Sequence, residues 1–292
     1  MRVAVVGLGG VGGYLAAKFA QAGIDVVGFA RGEHLRAIQQ DGIRVNEDES
    51  SFSVALSAQE LREAKGHFDV VLFCVKSYDL EESYRAISPC VSEETVLVSF
   101  SNGVDNGDRL RALSCARVVD GMIYILSHRE SPGVIRKKGS VFAAVFGGER
   151  EATERLAELF ERAKLRYKIP DDIQKALWKK YIFIATFATL TSYYDQSIYT
   201  VYTEHRAECE ALLGEIVAVA KSYGIDIEDE VQKALDTASK LPKDASTSMH
   251  LDFGAKKKSE LESLTGFIAK REGVETPLFS KIYKALKERA IE

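Results

Sequence analysis

The first 31 residues, 1-MRVAVVGLGGVGGYLAAKFAQAGIDVVGFAR-31, decide how the chain begins to fold. The β-branched run in 1–6 predicts a strand. The segment after the glycines has apolar residues at helical spacing and ends at Gly23, which is a helix stop signal. A second strand is predicted in 24–30. A strand, a glycine turn, a helix and a strand within about 30 residues form a βαβ unit, so a parallel sheet is expected to start here.

The glycine turn between the first strand and the first helix has the pattern G-x-G-x-x-G. Gly7 permits a tight turn, Gly9 lets the backbone approach a pyrophosphate, and Gly12 lets helix and strand pack closely. Backbone N–H groups at the start of the helix then face the phosphates. A glycine-rich turn without a ligand is the alternative. The context favours a dinucleotide site formed by Gly7, Leu8, Gly9, Gly10, Val11 and Gly12.

The tip of the second predicted strand indicates which dinucleotide binds. NAD enzymes usually place Asp or Glu there, where the carboxylate binds the ribose 2′-hydroxyl. In this chain the tip is Ala30-Arg31, and an arginine can pair with a 2′-phosphate. Asp25 stands at the start of the strand and Glu33 lies beyond the turn. An arginine on the surface without a role is the alternative, and the sequence favours NADPH as the cofactor.

The rest of the chain divides into an α/β half and a helical half. Alternating strands and helices predict a parallel sheet with helices on its faces up to Pro170, and period-3.6 segments dominate from about residue 171. The predicted fold class is therefore α/β, with a Rossmann-type NADP-binding domain in 1–170 and an all-helical substrate and catalytic domain in 171–292. The further strands are predicted at 69–75, 95–100 and 117–119, with shorter strands in 121–146 that turn at Pro132-Gly133 and at Gly139. The helices are predicted around 33–40, 57–65 and 79–88, then at 171–191, 203–223, 228–240, about 247–272 and 276–289.

Composition and charge exclude several classes of protein. The chain has 292 residues, 28% of them charged, and a formal net charge of −4, which does not suit a nucleic-acid binder. Four scattered cysteines without C-x-x-C spacing argue against a zinc site and a disulfide framework, so we expect no metal. The apolar run 181–190 is too short to span a membrane, and 1–7 enters a strand without an export signal. We expect a cytoplasmic protein that binds neither membrane nor nucleic acid.

Polar side chains follow two successive strands. Lys76 ends the stretch LFCVK and Asn102 ends SFSN, so both are expected at the carboxyl edge of the sheet, where open α/β sheets bind ligands. Each alone is more often a solvated lysine or a turn residue. Together on successive strands they favour a site for a polar ligand.

The helical half places charged residues beside apolar ones. In 177-LWKKYIFIATFATL-190, Lys179 and Lys180 follow Trp178 at the edge of the most apolar helix. Farther on, Ser248 and Glu260 are twelve residues apart, so one unbroken helix would separate them by roughly 18 Å and turn them about 120° apart. Gly254 offers a break between them. Without further information a glutamate such as Glu260 is usually a surface residue.

These motifs in this order resemble the 2-dehydropantoate 2-reductase (ketopantoate reductase) family over nearly the whole chain. The motifs are GLGGVGG, Arg31, CVKSYD, SNGVDNG, LWKK, STSMHLD followed by Glu260, and TPLFSKIYKAL. The resemblance implies a Rossmann domain followed by a helical domain, with the active site in the cleft between them. It also implies NADPH-dependent reduction of 2-dehydropantoate to (R)-pantoate in pantothenate and coenzyme A synthesis, by a monomer or homodimer.

The resemblance assigns a role to each candidate residue. Lys180 matches the catalytic lysine, and Glu260 matches a glutamate that orients that lysine or the substrate. Lys76 matches a lysine near the nicotinamide, and Asn102 matches the asparagine of the N-G pair, so both are expected to contact cofactor and substrate. Ser248 matches a serine that contacts the substrate. Desolvation beside the apolar helix is expected to lower the pKa of Lys180, so that it can donate a proton to the carbonyl oxygen. Lys179, about 100° away on the helix, is expected to reach solvent.

One departure from the family leaves the substrate open. The family often has asparagines that help to hold the substrate, and this chain has Ile184, Ala188 and Ile198 near those positions. An apolar pocket favours a 2-keto acid without a 4-hydroxyl, so a related NAD(P)-dependent 2-hydroxyacid dehydrogenase is an alternative. A regulator that binds dinucleotide without catalysis is a second alternative, which Lys76, Lys180 and Glu260 together argue against.

Overall fold

The computed structural model describes residues 1–290. The chain forms two compact units. The first contains 1–101 and 105–173, and the second contains 102–104 and the chain from 174 onward. The predicted boundary between 170 and 171 and the roles of the two domains stay predictions.

The first unit contains the strands and the first five helices. Its strands are β1 (Arg2–Val6), β2 (Asp25–Phe29), β3 (Ile43–Asn46), β4 (Ser51–Val54), β5 (Ser57–Gln59), β6 (Val70–Phe73), β7 (Val96–Ser99), β8 (Arg117–Ser131), β9 (Val134–Gly148) and β10 (Tyr167–Lys168). Its helices are α1 (Gly10–Gln21), α2 (Gly32–Asp41), α3 (Leu80–Ile87), α4 (Asn106–Leu113) and α5 (Arg150–Arg162).

One ten-stranded mixed sheet organises the first unit. Its order is β4-β3-β9-β8-β7-β6-β1-β2-β5, and β10 pairs with β9. The run β8-β7-β6-β1-β2-β5 is parallel throughout. β2, β1, β6 and β7 are therefore consecutive neighbours, and their carboxyl ends lie at the same edge of the sheet. This confirms the predicted α/β fold class and the adjacency of the strands that precede Lys76 and Asn102.

The parallel strands are buried on both faces of the sheet. On β1, Val3 and Val5 belong to one core, and Ala4 and Val6 belong to the core on the other face. The first core includes side chains of α1 and α5, where Phe19 and Phe160 meet edge to face with ring centroids 5.8 Å apart. Side chains from α3 and α4 cover the opposite core. Burial on both faces explains why these strands read as continuous apolar runs.

Several predicted elements of the first unit are wrong in detail. A helix was expected in 57–65, where the structure has β5 and a 3₁₀ turn at Leu61–Glu63, because 57–59 pair with β2 and form the edge strand of the sheet. Shorter strands were expected in 121–146, and β8 and β9 are instead two paired strands of 15 residues each. Gly139 is not a turn between strands. It lies in β9 at φ +65°, where the pairing register shifts.

The second unit is helical. Its helices are α6 (Ile173–Tyr194), α7 (Ile198–Glu204), α8 (Arg206–Ser222), α9 (Glu230–Lys240), α10 (Ser248–Gly254), α11 (Phe267–Ala269) and α12 (Pro277–Arg289), with α6 starting one residue before the unit. Two predicted helices are interrupted. The segment 203–223 breaks at His205, where φ is −125° and ψ is 39°. The segment 247–272 breaks after Gly254, as the glycine suggested, and continues as a π-helical turn, Glu262–Gly266.

The α6 helix is the centre of the second unit. Its middle is apolar on nearly every side because other helices of the unit bury it. The rings of Trp178, Tyr181 and Phe267 pack against one another with centroids 5.6–6.1 Å apart. No helix among residues 1–290 is both long enough and apolar enough to cross a membrane.

Candidate active site

The glycine turn has the geometry that its sequence predicts. Gly7 has a φ of +93°, which a residue with a side chain rarely adopts. A Cβ on Gly12 would lie 2.0 Å from the carbonyl oxygen of Gly7, so only glycine allows this approach of helix to turn. A Cβ on Gly9, in contrast, would meet nothing within 4 Å. The turn is tight beneath Gly12 and open at Gly9, which fits a phosphate that approaches the backbone there.

The start of α1 suits an anion. Gly9 is the N-cap of the helix without a side-chain cap, and the first turn has no acidic residue. The first N–H groups of any helix lack partners within the helix and carry a partial positive charge. Gly7–Gly12 therefore fit the pyrophosphate of a dinucleotide.

A buried histidine forms a hydrogen bond with the backbone of the glycine turn. His34 Nε2 lies 2.7 Å from the carbonyl oxygen of Leu8, and its Nδ1 accepts the N–H of Gly133 at 2.9 Å. Because Nδ1 accepts, Nε2 carries the hydrogen and donates to Leu8. Burial lowers the pKa of His34, which agrees with a neutral ring. Sequence reasoning missed this residue, since a lone histidine two residues into a helix gives no signal.

Arg31 lies at the predicted position at the tip of β2. It is exposed and is the N-cap of α2, and Gly32 follows with a φ of +64°. β2 is the neighbour of β1, so Arg31 and the glycine turn follow adjacent parallel strands. The side chain is therefore available to a ligand at this edge.

The loop that carries Lys76 is held on both sides. Ser101 donates its hydroxyl to the carbonyl oxygen of Val75 at 2.6 Å, and Arg109 donates to that of Ser77 at 2.7 Å. Asn106 in turn donates to the carbonyl oxygen of Ser101 at 3.2 Å. Lys76 itself is half-buried. The backbone of Lys76 is thus fixed by neighbours that the sequence prediction did not include, although Ser101 and Asn106 belong to the quoted SNGVDNG motif.

Within the second unit, three of the predicted residues come together. Lys180 Nζ donates to Asn102 Oδ1 at 3.4 Å, and Asn102 Nδ2 donates to Glu260 Oε2 at 3.5 Å. Glu260 is 3% exposed, so it is not the surface glutamate that its sequence context suggested. The Asn102 amide presents its oxygen to the Lys180 ammonium and its nitrogen to the Glu260 carboxylate. Distances of this length are weak hydrogen bonds that can shorten when a substrate takes part.

The charge of Lys180 is tuned by its surroundings. Burial removes water from the ammonium and lowers the pKa of Lys180 to about 8, while the negative charge of Glu260 opposes that shift. A lysine with a pKa near 8 still carries a proton at neutral pH and can release it to a basic oxygen. Desolvation and one opposed charge are the usual combination at catalytic acids.

Lys179 has a different environment. Its ammonium lies 3.0 Å from Glu230 and 4.0 Å from Asp229, and its side chain is 36% exposed. It therefore reaches the surface in part, as expected, and its charge is paired there. The two neighbouring lysines are separated by the rotation of about 100° per helical residue.

Ser248 does not join the three-residue cluster. It is exposed at the first position of α10, and the structure shows no contact from it to Lys180 or Glu260. The preceding residue, Thr247, bonds through its hydroxyl to Thr191 at 2.9 Å. Thr191 is eleven residues after Lys180 on α6, which puts both on one face of the helix.

The positions that depart from the family are apolar and largely buried. Ala188 and Ile198 are 2% and 4% exposed, and Ile184 is half-buried one turn after Lys180. None of these side chains can form a hydrogen bond with a substrate hydroxyl. Among residues 1–290, no group of three or more His, Cys, Asp or Glu side chains could hold a metal ion.

A glycine turn on a parallel sheet together with a partly desolvated lysine is typical of dinucleotide-dependent oxidoreductases. The model of the family Ketopantoate reductase PanE/ApbA matches residues 3–148, and that of Ketopantoate reductase PanE/ApbA C terminal matches residues 172–290. The chain therefore belongs to the ketopantoate reductase family of oxidoreductases, which confirms the resemblance seen in its motifs.

Similar proteins match over nearly the whole chain. The uncharacterized oxidoreductase YkpB of Bacillus subtilis (strain 168) is 29% identical over 98% of this chain and 98% of its own. The crystal structure of 2-dehydropantoate 2-reductase from Porphyromonas gingivalis W83 shows 31% identity and a TM-score of 0.84, covering 98% of this chain and 99% of that one. The crystal structure of a PanE/ApbA family ketopantoate reductase from Ralstonia eutropha JMP134 shows 28% identity and a TM-score of 0.91, covering 99% and 98%.

Proposed function

We propose that this chain is an NADPH-dependent reductase of 2-keto acids, and that its substrate is 2-dehydropantoate, which it converts to (R)-pantoate for pantothenate and coenzyme A synthesis. The observation that carries the proposal is the half-buried Lys180, which bonds to Asn102 beside the buried Glu260 and whose pKa is lowered to about 8 by desolvation. The 2-dehydropantoate 2-reductase of Porphyromonas gingivalis, which is similar along its full length, supports the choice of substrate.

The first unit provides the groups that would hold the cofactor. The backbone of Gly7–Gly12 would bind the pyrophosphate, and the exposed guanidinium of Arg31 would pair with the 2′-phosphate. Lys76, on its fixed loop, would contact the nicotinamide end. NADPH, when bound, supplies the hydride that reduces the ketone carbon.

The remaining chemistry belongs to the cluster of Lys180, Asn102 and Glu260. Reduction of a ketone places negative charge on its oxygen. The Lys180 ammonium stabilises that charge more than it would in water, because the desolvation that lowers its pKa also removes part of its hydration. Lys180 then donates its proton to the oxygen, which a pKa near 8 permits at neutral pH. Glu260 and Asn102 orient the ammonium, and Asn102 and Ser248 are proposed to bind the polar groups of the substrate.

A second candidate is a reductase of 2-keto acids with an apolar side chain. Ile184 lies one turn after Lys180 on the same face of α6, and Ala188 lies one turn farther. An isoleucine next to the reacting group leaves a substrate hydroxyl without a partner, which costs about 1–3 kcal/mol when the hydroxyl is buried. The same isoleucine favours a substrate that carries a methyl or methylene group there.

A panel of 2-keto acids tests both candidates. NADPH consumption is measured with 2-dehydropantoate and with matched acids that lack its 4-hydroxyl. The first candidate predicts the highest kcat/KM with 2-dehydropantoate. A preference of at least tenfold for the acids without the hydroxyl would replace it by the second candidate. Tight NADPH binding without turnover of any 2-keto acid would contradict both and indicate a dinucleotide-binding regulator.

A further inference from the structure

The backbone that carries Glu260 has an unusual local structure. A π-helical turn, Glu262–Gly266, begins two residues after Glu260. Such turns are uncommon in proteins, and many of those that occur lie at functional sites. The carbonyl oxygen of Glu260 accepts the N–H of Leu264 at 3.0 Å and the hydroxyl of Ser263 at 3.2 Å. The position of Glu260 is therefore tied to the first residues of the π-helical turn.

Tyr181 of α6 binds the same turn. Its hydroxyl points to the carbonyl oxygens of Ser263 and Leu264, at 2.9 and 3.0 Å, and shares its one hydrogen between them. The side chain is 1% exposed, and its ring packs edge to face against Trp178 and Phe267. The ring thus has little freedom, and the hydroxyl holds the two carbonyl groups in place.

Tyr181 follows Lys180 directly on α6. One helix therefore carries the ammonium and also the hydroxyl that binds the π-helical turn after Glu260. We propose that Tyr181 is a positioning residue, whose hydroxyl sets the distance between the Glu260 carboxylate and the Lys180 ammonium through the π-helical turn. The inference rests on the proposed function, in which Lys180 is the proton donor.

The carboxylate of Glu260 is a charge through which such an effect can reach Lys180, because it favours the protonated form of the lysine. Lys179 on the same helix is paired with Glu230 and Asp229 of α9 and its N-cap. Glu262, in the π-helical turn, is bound by Lys270 and by Tyr283 of α12.

A second, uncharged contact joins the same two elements. Thr189 of α6 and Thr265 of the turn share a hydrogen bond at 2.8 Å, and both are fully buried. Removal of the Tyr181 hydroxyl should therefore loosen the turn locally without detaching it from α6.

The test is the pH dependence of kcat in Tyr181→Phe, which keeps the ring and removes the hydroxyl. Activity should fall as pH rises through the pKa of Lys180, because the proton donor is then lost. If the Glu260 carboxylate is held less closely to Lys180, it stabilises the ammonium less and the pKa of Lys180 falls. The basic limb of the profile should therefore move to lower pH by roughly half a unit to one unit. The matched control is Tyr283→Phe, which removes a hydroxyl bound to the side chain of Glu262, and its basic limb should match the wild type.

A double-mutant cycle shows whether Tyr181 acts through Glu260. In the Glu260→Gln background, Tyr181→Phe should leave the limb unmoved, because no carboxylate remains to be positioned. An unchanged limb in the single variant would overturn the inference, and so would an equal shift in both backgrounds. Thermal unfolding separates these results from simple destabilisation, which would lower Tm without moving the limb.

A titration that needs no turnover keeps this inference distinct from the proposed function. The ¹³Cε resonance of Lys180, assigned by its absence in Lys180→Ala, reports the lysine pKa directly in labelled protein. A lower pKa in Tyr181→Phe than in the wild type supports the positioning role even if no 2-keto acid of the panel is reduced. Equal values in the two proteins would refute it even if the enzyme is active.

Discussion

Two lysines that are neighbours on α6 have different environments, because one residue along a helix turns the side chain by about 100°. Both are half-buried, but Lys180 lies beside Asn102 and Glu260, and Lys179 is paired with Glu230. Lys180 is half-buried, so the shift of its pKa from 10.5 to about 8 corresponds to a cost of at most about 3 kcal/mol for the ammonium at neutral pH. The unfolded chain binds the proton more tightly, so this cost disappears as pH rises from 8 to 10.5. A group that destabilises the fold at neutral pH is understandable where catalysis requires its charge.

Arg31 determines the predicted choice of cofactor at the residue scale. Wild-type protein should bind NADPH at least tenfold more tightly than NADH, and Arg31→Ala should remove most of that difference. A charge-assisted hydrogen bond is worth about 1.5–3 kcal/mol, which is one to two decades in affinity. Fluorescence titration with the two cofactors measures both constants.

A second exposed arginine provides the control for that titration. Arg36 lies in α2, five residues after Arg31, and Arg36→Ala removes the same charge from the same helix. Its NADPH preference should equal that of the wild type. Equal affinity of the wild-type protein for NADPH and NADH would refute the role of Arg31, whatever the variants do.

At the scale of elements, two glycines of the turn between β1 and α1 have different expected roles: Gly12 in stability and Gly9 in cofactor binding. Gly12→Ala should destabilise the first unit by about 1–3 kcal/mol, because its Cβ would lie 2.0 Å from the backbone oxygen of Gly7 and no side-chain rotation can relieve the clash. Gly9→Ala meets nothing within 4 Å and should leave stability unchanged within about 0.5 kcal/mol. Urea unfolding of the two variants measures this difference.

The same two variants should differ in another way when NADPH is added. Gly9→Ala should fold normally and yet bind NADPH at least tenfold more weakly, since the added methyl group occupies the space through which a pyrophosphate approaches. Gly9→Ala with wild-type affinity would show that the phosphates do not pass over Gly9. A fully stable Gly12→Ala would show that the helix can move away from the turn.

The elements also show where sequence patterns were sufficient. The βαβ start and α6 could be predicted because local periodicity and burial agree there. The segment 57–65 contains good helix formers, yet 57–59 pair with β2, so contact with a neighbouring strand overrode local propensity. The π-helical turn after Glu260 leaves no trace in the periodicity, and two of its carbonyl groups accept hydrogen bonds from Tyr181 on another helix, a contact that no local pattern reveals.

At the scale of the whole molecule, the site draws on distant parts of the chain. Asn102, Lys180 and Glu260 were named from the sequence by resemblance to a family, and the second unit brings all three together. Spacing alone could not have joined them, because no local rule relates residues about 80 positions apart. His34 and Arg109 were missed for the same reason, since each acts on a loop far from its own position in the sequence.

The central claim is that the chain is a reductase whose chemistry depends on Lys180. The most direct test is steady-state kinetics of Lys180→Ala and Lys179→Ala side by side, with NADPH and the best 2-keto acid of the panel. Lys180→Ala should stay folded by circular dichroism and lose about two to four decades in kcat, the scale of one acid–base group, with a smaller change in KM. Lys179→Ala should stay within about threefold of the wild type, since its charge pairs with Glu230. A folded Lys180→Ala enzyme with near-normal kcat would contradict the account.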